Sequence, residues 1–147
     1  MQIRLARLDD IETLFHIRTS VVENHQSREE LAGLGVTPET IAQMLQTHCR
    51  AWIAEIDGQA VGFSFANAVE RMVFGLFVLP HFEGRGVGRA LMQQAEDWLW
   101  SQGTTKIQLY TGNQPSLRAY GFYQHLGWEV GEVQSDRQIK FVKRKPR

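Results

Sequence analysis
One cysteine, Cys49, is all this chain has, which excludes an internal disulfide and any metal site built on a cysteine cluster. Net charge is equally scarce: sixteen basic and sixteen acidic residues cancel, so a broad electrostatic footprint for nucleic acid is absent. The basic end, Lys143-Arg144-Lys145-Pro146-Arg147, reads as a solvated terminus, not a nucleic-acid arm. No apolar stretch reaches the roughly eighteen residues of a membrane span, and the start, MQIRLARLDD, lacks the apolar core of a secretion signal. No membrane partner and a reduced, cytoplasmic location are therefore expected. Neither an internal repeat nor a low-complexity linker divides the 147 residues, so residues 1–147 are read as a single domain.

What is present centres on Phe74 to Leu91, FGLFVLPHFEGRGVGRAL. An apolar run, Leu76 to Leu79, stops at Pro80, which offers no donor to a strand ladder. Gly84, Gly86 and Gly88 follow, and then Val87, Ala90, Leu91, Ala95, Trp98 and Leu99 recur at helical spacing. The junction is thus strand, glycine-rich loop, helix start. The first turn of a helix leaves N–H groups without internal partners, the helix dipole adds positive character, and glycines let the backbone approach a guest closely. Arg85 and Arg89 add charge. A phosphate or diphosphate suits such a place.

Spacing separates the candidates. The dinucleotide pattern G-x-G-x-x-G fails because Arg89 stands at its last position, and the chain has no G-x-x-x-x-G-K-[ST] run.

Before the loop, Ile3 to Ala6 is predicted as a strand. Asp9 with Glu12 predicts a helix start, and Ile11, Leu14, Phe15, Val21 and Val22 share one face of a helix that fades near Asn24. Thr37-Pro38 caps a second helix with Ile41, Met44, Leu45 and His48 on its stripe, Cys49 lying near its end as a small core residue. From Ala51 the period is two: Trp52, Ala54 and Ile56 alternate with Ile53 and Glu55. Asp57-Gly58 marks a hairpin, and Val61, Phe63 and Phe65 alternate with Gly62, Ser64 and Ala66 on the return strand. Met72 to Leu79 completes an antiparallel meander. Beyond the long helix, which Gly103 stops, Lys106 to Thr111 is predicted as a strand parallel to Met72 to Leu79, since a helix joins the two. A helix with Ala119, Phe122, Tyr123 and Leu126 follows, then a closing pair, Trp128 to Glu132 and Gln138 to Val142. The class is α/β (α+β), a mixed sheet of about seven strands with about four helices.

Two motifs within this order carry a resemblance. Glu83-Gly84-Arg85-Gly86-Val87-Gly88 is similar to the acyl-coenzyme A signature of the GNAT N-acetyltransferase family, with Glu83 where that family usually has Gln or Arg. Ala119 to Trp128, AYGFYQHLGW, resembles its A-x-x-F-Y-x-x-x-G-F segment, with Trp128 for Phe; Ser116 stands where that family often has Asn. The element order resembles the GNAT fold from end to end.

The resemblance implies an N-acetyltransferase with acetyl-coenzyme A as cosubstrate and a primary amine of a small molecule or peptide as acceptor, attacking directly in a ternary complex. It implies that the backbone of Phe77 and Val78 pairs with the pantetheine arm and that a Val78 N–H serves as oxyanion donor. Arg85, Gly86, Val87, Gly88, Arg89 and Ala90 would hold the diphosphate with Ser116 nearby, and Glu83 is expected to face away from it. Tyr123 would protonate the departing thiolate, though the same position suits a core-edge tyrosine. Glu70 and His81 are the candidate general bases, and deprotonation through water needs neither. Gly75 permits a local bulge or simply avoids a packing clash. Glu23, Asn24 and His25 would border the acceptor. A homodimer is compatible with the resemblance. Two other readings stay open: a non-catalytic acyl-coenzyme A sensor or interaction module on the same fold, and a nucleotide-binding domain.

Overall fold
A computed structural model describes residues 1–22, 25–112, 118–134 and 137–147. Seven strands form one sheet in the order β1-β2-β3-β4-β5-β7-β6. They are β1 (Gln2–Leu5), β2 (Cys49–Ile56), β3 (Gln59–Asn67), β4 (Met72–Val78), β5 (Lys106–Gly112), β6 (Glu129–Val133) and β7 (Gln138–Arg144). All neighbours are antiparallel except β4 and β5, which the helix between them makes parallel. Five α-helices are described: α1 (Ile11–Arg18), α2 (Arg28–Gly33), α3 (Pro38–Thr47), α4 (Val87–Ser101) and α5 (Arg118–His125).

Helices cover both faces of the sheet, so β2 is buried on both sides and its alternation sorts residues between two cores. Ala51 and Ile53 join Ile11, Leu14, Phe15 and Ile17 of α1 and Ile41 of α3. Trp52 and Ala54 join Leu91, Met92, Ala95 and Leu99 of α4 and Phe141 of β7. The turn between β2 and β3 has φ of 50° at Asp57 and 78° at Gly58, as a tight hairpin of this hand requires.

Two bulges break the alternation expected of β3 and β4. Ala54 pairs with Gly62 but Glu55 with Ala60, leaving Val61 as the extra residue. Val61 therefore enters the α4 core, while Phe63 and Phe65 pack on the α1 side. In β4, Phe65 pairs with Gly75 but Ala66 with Val73, so Phe74 is extra. Of the two readings of Gly75, the bulge lies beside it, and a Cβ there would also come within 3.3 Å of the Phe77 ring. This bulge has the same effect as the first: Val73 belongs to the α4 core and Phe77 to the α1 side.

The amino-terminal helices differ most from the sequence reading. The entry to α1 is a 3-10 turn over Leu8–Asp10, and it is Asp10, not Asp9, whose carboxylate accepts the Arg7 N–H at 2.7 Å. Glu12 instead meets Arg28 of α2 at 2.6 and 3.1 Å. The helix ends at Arg18, and just beyond it Thr19 and Ser20 donate their hydroxyls to the carbonyls of Phe15 and His16 in its last turn, at 2.8 and 2.6 Å. Val22, expected on the buried face, is 80% exposed. Cys49 opens β2 instead of ending α3. It is buried as expected, and burial pushes its thiol up to about 12, which removes it as a nucleophile.

A buried polar cluster ties the carboxyl-terminal half together. The Glu96 carboxylate of α4 accepts Trp128 Nε1–H at 3.1 Å and Lys143 Nζ at 2.8 Å. Lys143 also donates to the Leu126 carbonyl just after α5, at 2.9 Å. One ammonium group thereby joins α4, β7 and the end of α5, and each of the three polar groups has a partner.

At the other end of the sheet, Arg4 of β1 grips Asp10 in a fork at 2.8 and 2.9 Å, and the bond to Arg4 holds the Asp10 carboxyl down at about 2. Because that folded-state value lies below the ordinary 3.8, the contribution is complete above about pH 4 and is lost as the pH falls through about 2. Its size is on the order of 2 kcal/mol. Asp10→Asn is expected to lower the urea midpoint at pH 7 and to flatten the loss of stability between pH 4 and 2. An unchanged acid limb would rule the pair out as its source.

Candidate functional site
The β4 and β5 strands pair at Met72 and Gln108 and then part. Between them, and on toward α1, lies a cavity of about 1110 Å³ lined by Leu76, Phe77 and Val78 of β4, Leu109 to Gly112 of β5, the glycine loop, and Tyr123 of α5. The edge of β4 that faces it is polar. Leu79 N–H is donated to Val61 O at 2.8 Å, and Phe77 pairs across from Phe63, so these residues turn their backbone groups toward β3. Strand alternation then directs the N–H and C=O of Leu76 and Val78 to the opposite side, where β5 has drawn away.

The glycine loop closes one end of the cavity, and its three glycines serve different ends. Gly84 and Gly86 have φ of 75° and 80°, left-handed values that bring the chain sharply round into α4. Gly88 makes room instead: a Cβ there would lie 3.1 Å from Cζ of Phe122, where α5 crosses α4. The first bond of α4 runs from Ala90 N–H to Gly86 O, so the N–H groups of Val87, Gly88 and Arg89 have no acceptor within the helix. Gly84, Gly86, Gly88 and Arg89 line the cavity. Val87 contributes backbone only, since its side chain is buried in the α4 core, and Ala90 makes the first helical turn. Arg85 lies outside the lining, its guanidinium 5.3 Å from the centre of the Phe82 ring.

Glu83 is exposed. It lines the cavity, and its carboxylate lies 3.3 Å from Arg118 at the start of α5. The Arg118 side chain in turn reaches within 3.8 Å of where a Gly84 Cβ would be. A guanidinium from another helix thus stands at this corner of the loop, paired with the Glu83 carboxylate.

Tyr123 is 8% exposed and lines the cavity, its ring held among Phe122, Trp128 and Phe141 with centroids 5.6, 6.5 and 5.7 Å away. Burial pushes its phenol up to about 12. The core-edge and cavity descriptions therefore both apply to it.

Other expected residues fall elsewhere. Glu70 is exposed in the β3–β4 turn, where its N–H bonds Asn67 Oδ1 at 3.0 Å, and it is not among the lining residues; nor is His81. His25 does line the cavity, near α1, with Nδ1 3.0 Å from Val21 O. Glu23, Asn24 and Ser116 lie outside the described residues. Among the charged lining residues that the sequence did not single out are Arg118 and Arg18, the latter with its guanidinium 4.3 Å from the centre of the Phe77 ring and donating to Gln26 Oε1 at 2.8 Å. In sequence it shows only as one basic residue near the end of a helix.

Strand order, the parting of β4 from β5 and the loop into α4 define a class, and comparison with known proteins identifies it. The model of the acetyltransferase (GNAT) family matches residues 8–128, and the chain belongs to that family. An uncharacterized N-acetyltransferase from Archaeoglobus fulgidus is 38% identical over 80 residues, 48% of this chain and 54% of that protein. N-acetyltransferase family 8 member 2 from Rattus norvegicus is 31% identical over 93 residues, 58% of this chain and 41% of that protein. The match thus spans about half of such relatives or less. Among solved structures, the PaiA N-acetyltransferase from Thermoplasma acidophilum, in complex with coenzyme A, superposes with a TM-score of 0.78 at 19% identity, covering 99% of this chain and 100% of that one. A ribosomal-protein-alanine N-acetyltransferase from Brucella melitensis gives 0.76 at 17%, covering 99% and 100%. At such identities the likeness is one of fold.

Gly88→Val should force Phe122 and α5 away from α4, lowering stability by about 1–3 kcal/mol in urea denaturation. Adding Phe122→Leu should restore part of that loss. If the double variant is no better than the single, the contact does not explain Gly88.

Proposed function
We propose that this chain is an N-acetyltransferase that moves the acetyl group of acetyl-coenzyme A to a primary amine of a small molecule or peptide by direct attack in a ternary complex. The observation that carries this reading is the convergence on one cavity of three groups: the outward backbone of Leu76 and Val78, the N–H groups that begin α4, and Tyr123. Acetyl-coenzyme A supplies an acyl group on a thiol leaving group, reached through a long polar arm that ends in a diphosphate.

The residues present suit that molecule. The N–H groups of Val87, Gly88 and Arg89 donate to the diphosphate oxygens, with Arg89 at hand and Arg118 beside Glu83. Leu76 and Val78 offer the strand edge along which an amide-bearing arm pairs as a further strand would, whereas Phe77, expected to share that role, turns its backbone to β3. An N–H of Val78 directed into the gap stabilises negative charge on the acyl oxygen as the amine attacks. The amine sheds one proton to water, since neither Glu70 nor His81 lines the cavity.

Tyr123 acts on the leaving sulfur. With its phenol near 12, it is a weaker acid than an ordinary thiol, so it holds its proton and steadies the thiolate by a hydrogen bond. Any proton it passes on must be replaced at once from the amine. This gives Tyr123 a role in the rate of the chemical step and none in the grip on the diphosphate.

Release of free thiol from acetyl-coenzyme A in the presence of a panel of amines tests the activity. Tyr123→Phe is expected to lower kcat at least tenfold with the affinity for coenzyme A unchanged, and the wild-type rate should show no ionisation assignable to Tyr123 below about pH 11. Undiminished turnover would remove Tyr123 from the mechanism. Tight binding without turnover on any amine would instead favour a sensor of acyl-coenzyme A.

A further inference from the structure
The cavity has two ends of different chemistry. At one, the glycine loop and the N–H groups that begin α4 suit the diphosphate. The other is walled by α1, the segment leading to α2, and the face of β3 and β4 that packs on α1. If the cosubstrate enters from the loop end, as the proposed function requires, the acceptor must occupy the α1 end. The surface exposed there therefore selects the acceptor.

Phenylalanine dominates these walls. Phe15, Phe63, Phe65, Phe74 and Phe77 all line the cavity, and they meet ring to ring, Phe63 with Phe77 at 5.6 Å and Phe65 with Phe74 at 5.5 Å. Phe74 is the extra residue of the β4 bulge and stays 41% exposed. Val22 after α1 and Leu34 after α2 line the same cavity and are exposed as well. Apolar surface is thus left in water where the acceptor arrives, and a body that covers it gains by removing it from water. The titratable side chains of this end are already engaged. Arg18 holds Gln26 Oε1 at 2.8 Å and the Phe77 ring, among other contacts. His25 Nδ1 lies 3.0 Å from Val21 O, and Glu30 accepts Ser27 N–H at 3.1 Å within the cap of α2. Among the described residues, then, these groups serve the fold, and the surface offered to a guest is mostly carbon.

We propose that the acceptor is an apolar monoamine, a small molecule whose single charge is the reacting amine and whose body is an alkyl chain or an aromatic ring. The body packs on Phe74 and the rings around it, and the amine reaches the strand edge at Val78. There its nitrogen bonds the acyl carbon, the carbon–sulfur bond breaks, the sulfur leaves as thiolate, and the amine sheds its proton to water. A second charge on the body would be stripped of water against phenylalanine. A peptide would bring N–H and C=O groups at every residue to the same walls. Both carry a desolvation penalty that an apolar monoamine avoids. Phe74 is thus a specificity-determining residue of the acceptor site, and the inference rests on the acetyltransferase reading.

The test follows thiol release from acetyl-coenzyme A with the n-alkylamines from ethylamine to hexylamine. Phenethylamine, phenylalanine, a leucine-initiated tripeptide and diaminopentane, which is hexylamine with its end methyl replaced by a second amine, complete the panel. Thermal stabilisation of the protein saturated with coenzyme A is read in parallel. In wild type, kcat/KM should rise about threefold to fourfold for each methylene added. Hexylamine should exceed diaminopentane by at least about tenfold, and phenethylamine should exceed both phenylalanine and the tripeptide. Phe74→Gln should flatten the rise per methylene with the KM for acetyl-coenzyme A unchanged. Leu34→Gln, at a more exposed position, should do so in part and serves if Phe74→Gln does not fold. A flat series, better use of diaminopentane, or an undiminished rise in both variants would overturn the inference and leave the acetyltransferase intact. Preference for phenylalanine or for the tripeptide would overturn it in favour of an amino acid or a peptide. Stabilisation that grows with chain length without turnover would uphold the apolar site and sink the catalytic reading, and an absence of both would end the inference.

Discussion

Everything at the site follows from one interruption of hydrogen bonding, the parting of β4 from β5 after a single paired position, Met72 with Gln108. A strand edge inside a protein normally satisfies its N–H and C=O groups against a neighbour, and leaving them without one is costly unless water or a ligand takes them. The extra residue Phe74 makes the separation stable, because a bulge bends the strand that carries it and is anchored here on β3 through the pairs on either side. The cost of the gap is borne by the continuous ladder from β1 through β4, and the gap is where the family's chemistry would be done.

Around that gap the structure supplies a rigid frame. The sheet is covered on both faces, so the strand bearing Leu76 and Val78 is held by the α1 core on one side and the α4 core on the other. The Glu96, Lys143 and Trp128 cluster fastens the end of α5 to α4 and β7. Gly88 lets Phe122 rest directly on the first turn of α4. The glycine loop, which would grip a diphosphate, and Tyr123, which would meet the sulfur, consequently sit on one packed unit, and the distance between them is set by core contacts instead of by loops. Such preorganisation matters because a small error in placement costs heavily in a group-transfer step.

Much of this was legible in the residues. Pro80, the glycines and the apolar period of α4 are local signals, and each reports a local physical demand: an end to a ladder, a left-handed turn, a buried helix face. Asp57-Gly58 did the same for its hairpin. The short helix α2 had its signal too, Ser27 capping Glu30 N–H at 3.1 Å, a pattern easily passed over before only six residues. The bulges at Val61 and Phe74 had none, since a strand's own residues do not reveal which of them its partner will skip. Nor could Glu83 be understood alone, for its meaning lies in Arg118, thirty-five positions away and brought near by the crossing of two helices.

By itself, then, the chain's order of residues determined the elements, their sequence along the chain, the parallel pairing that a connecting helix imposes, and the anion-seeking start of α4, because all of these depend on interactions within a few residues or on rules of connection. Only the tertiary structure decided which strand edge is left open, that Arg18 rather than Glu70 lines the cavity, and that Glu83 meets Arg118. Those outcomes depend on contacts between residues far apart in sequence, whose geometry is set by the packing of whole helices on a twisted and bulged sheet.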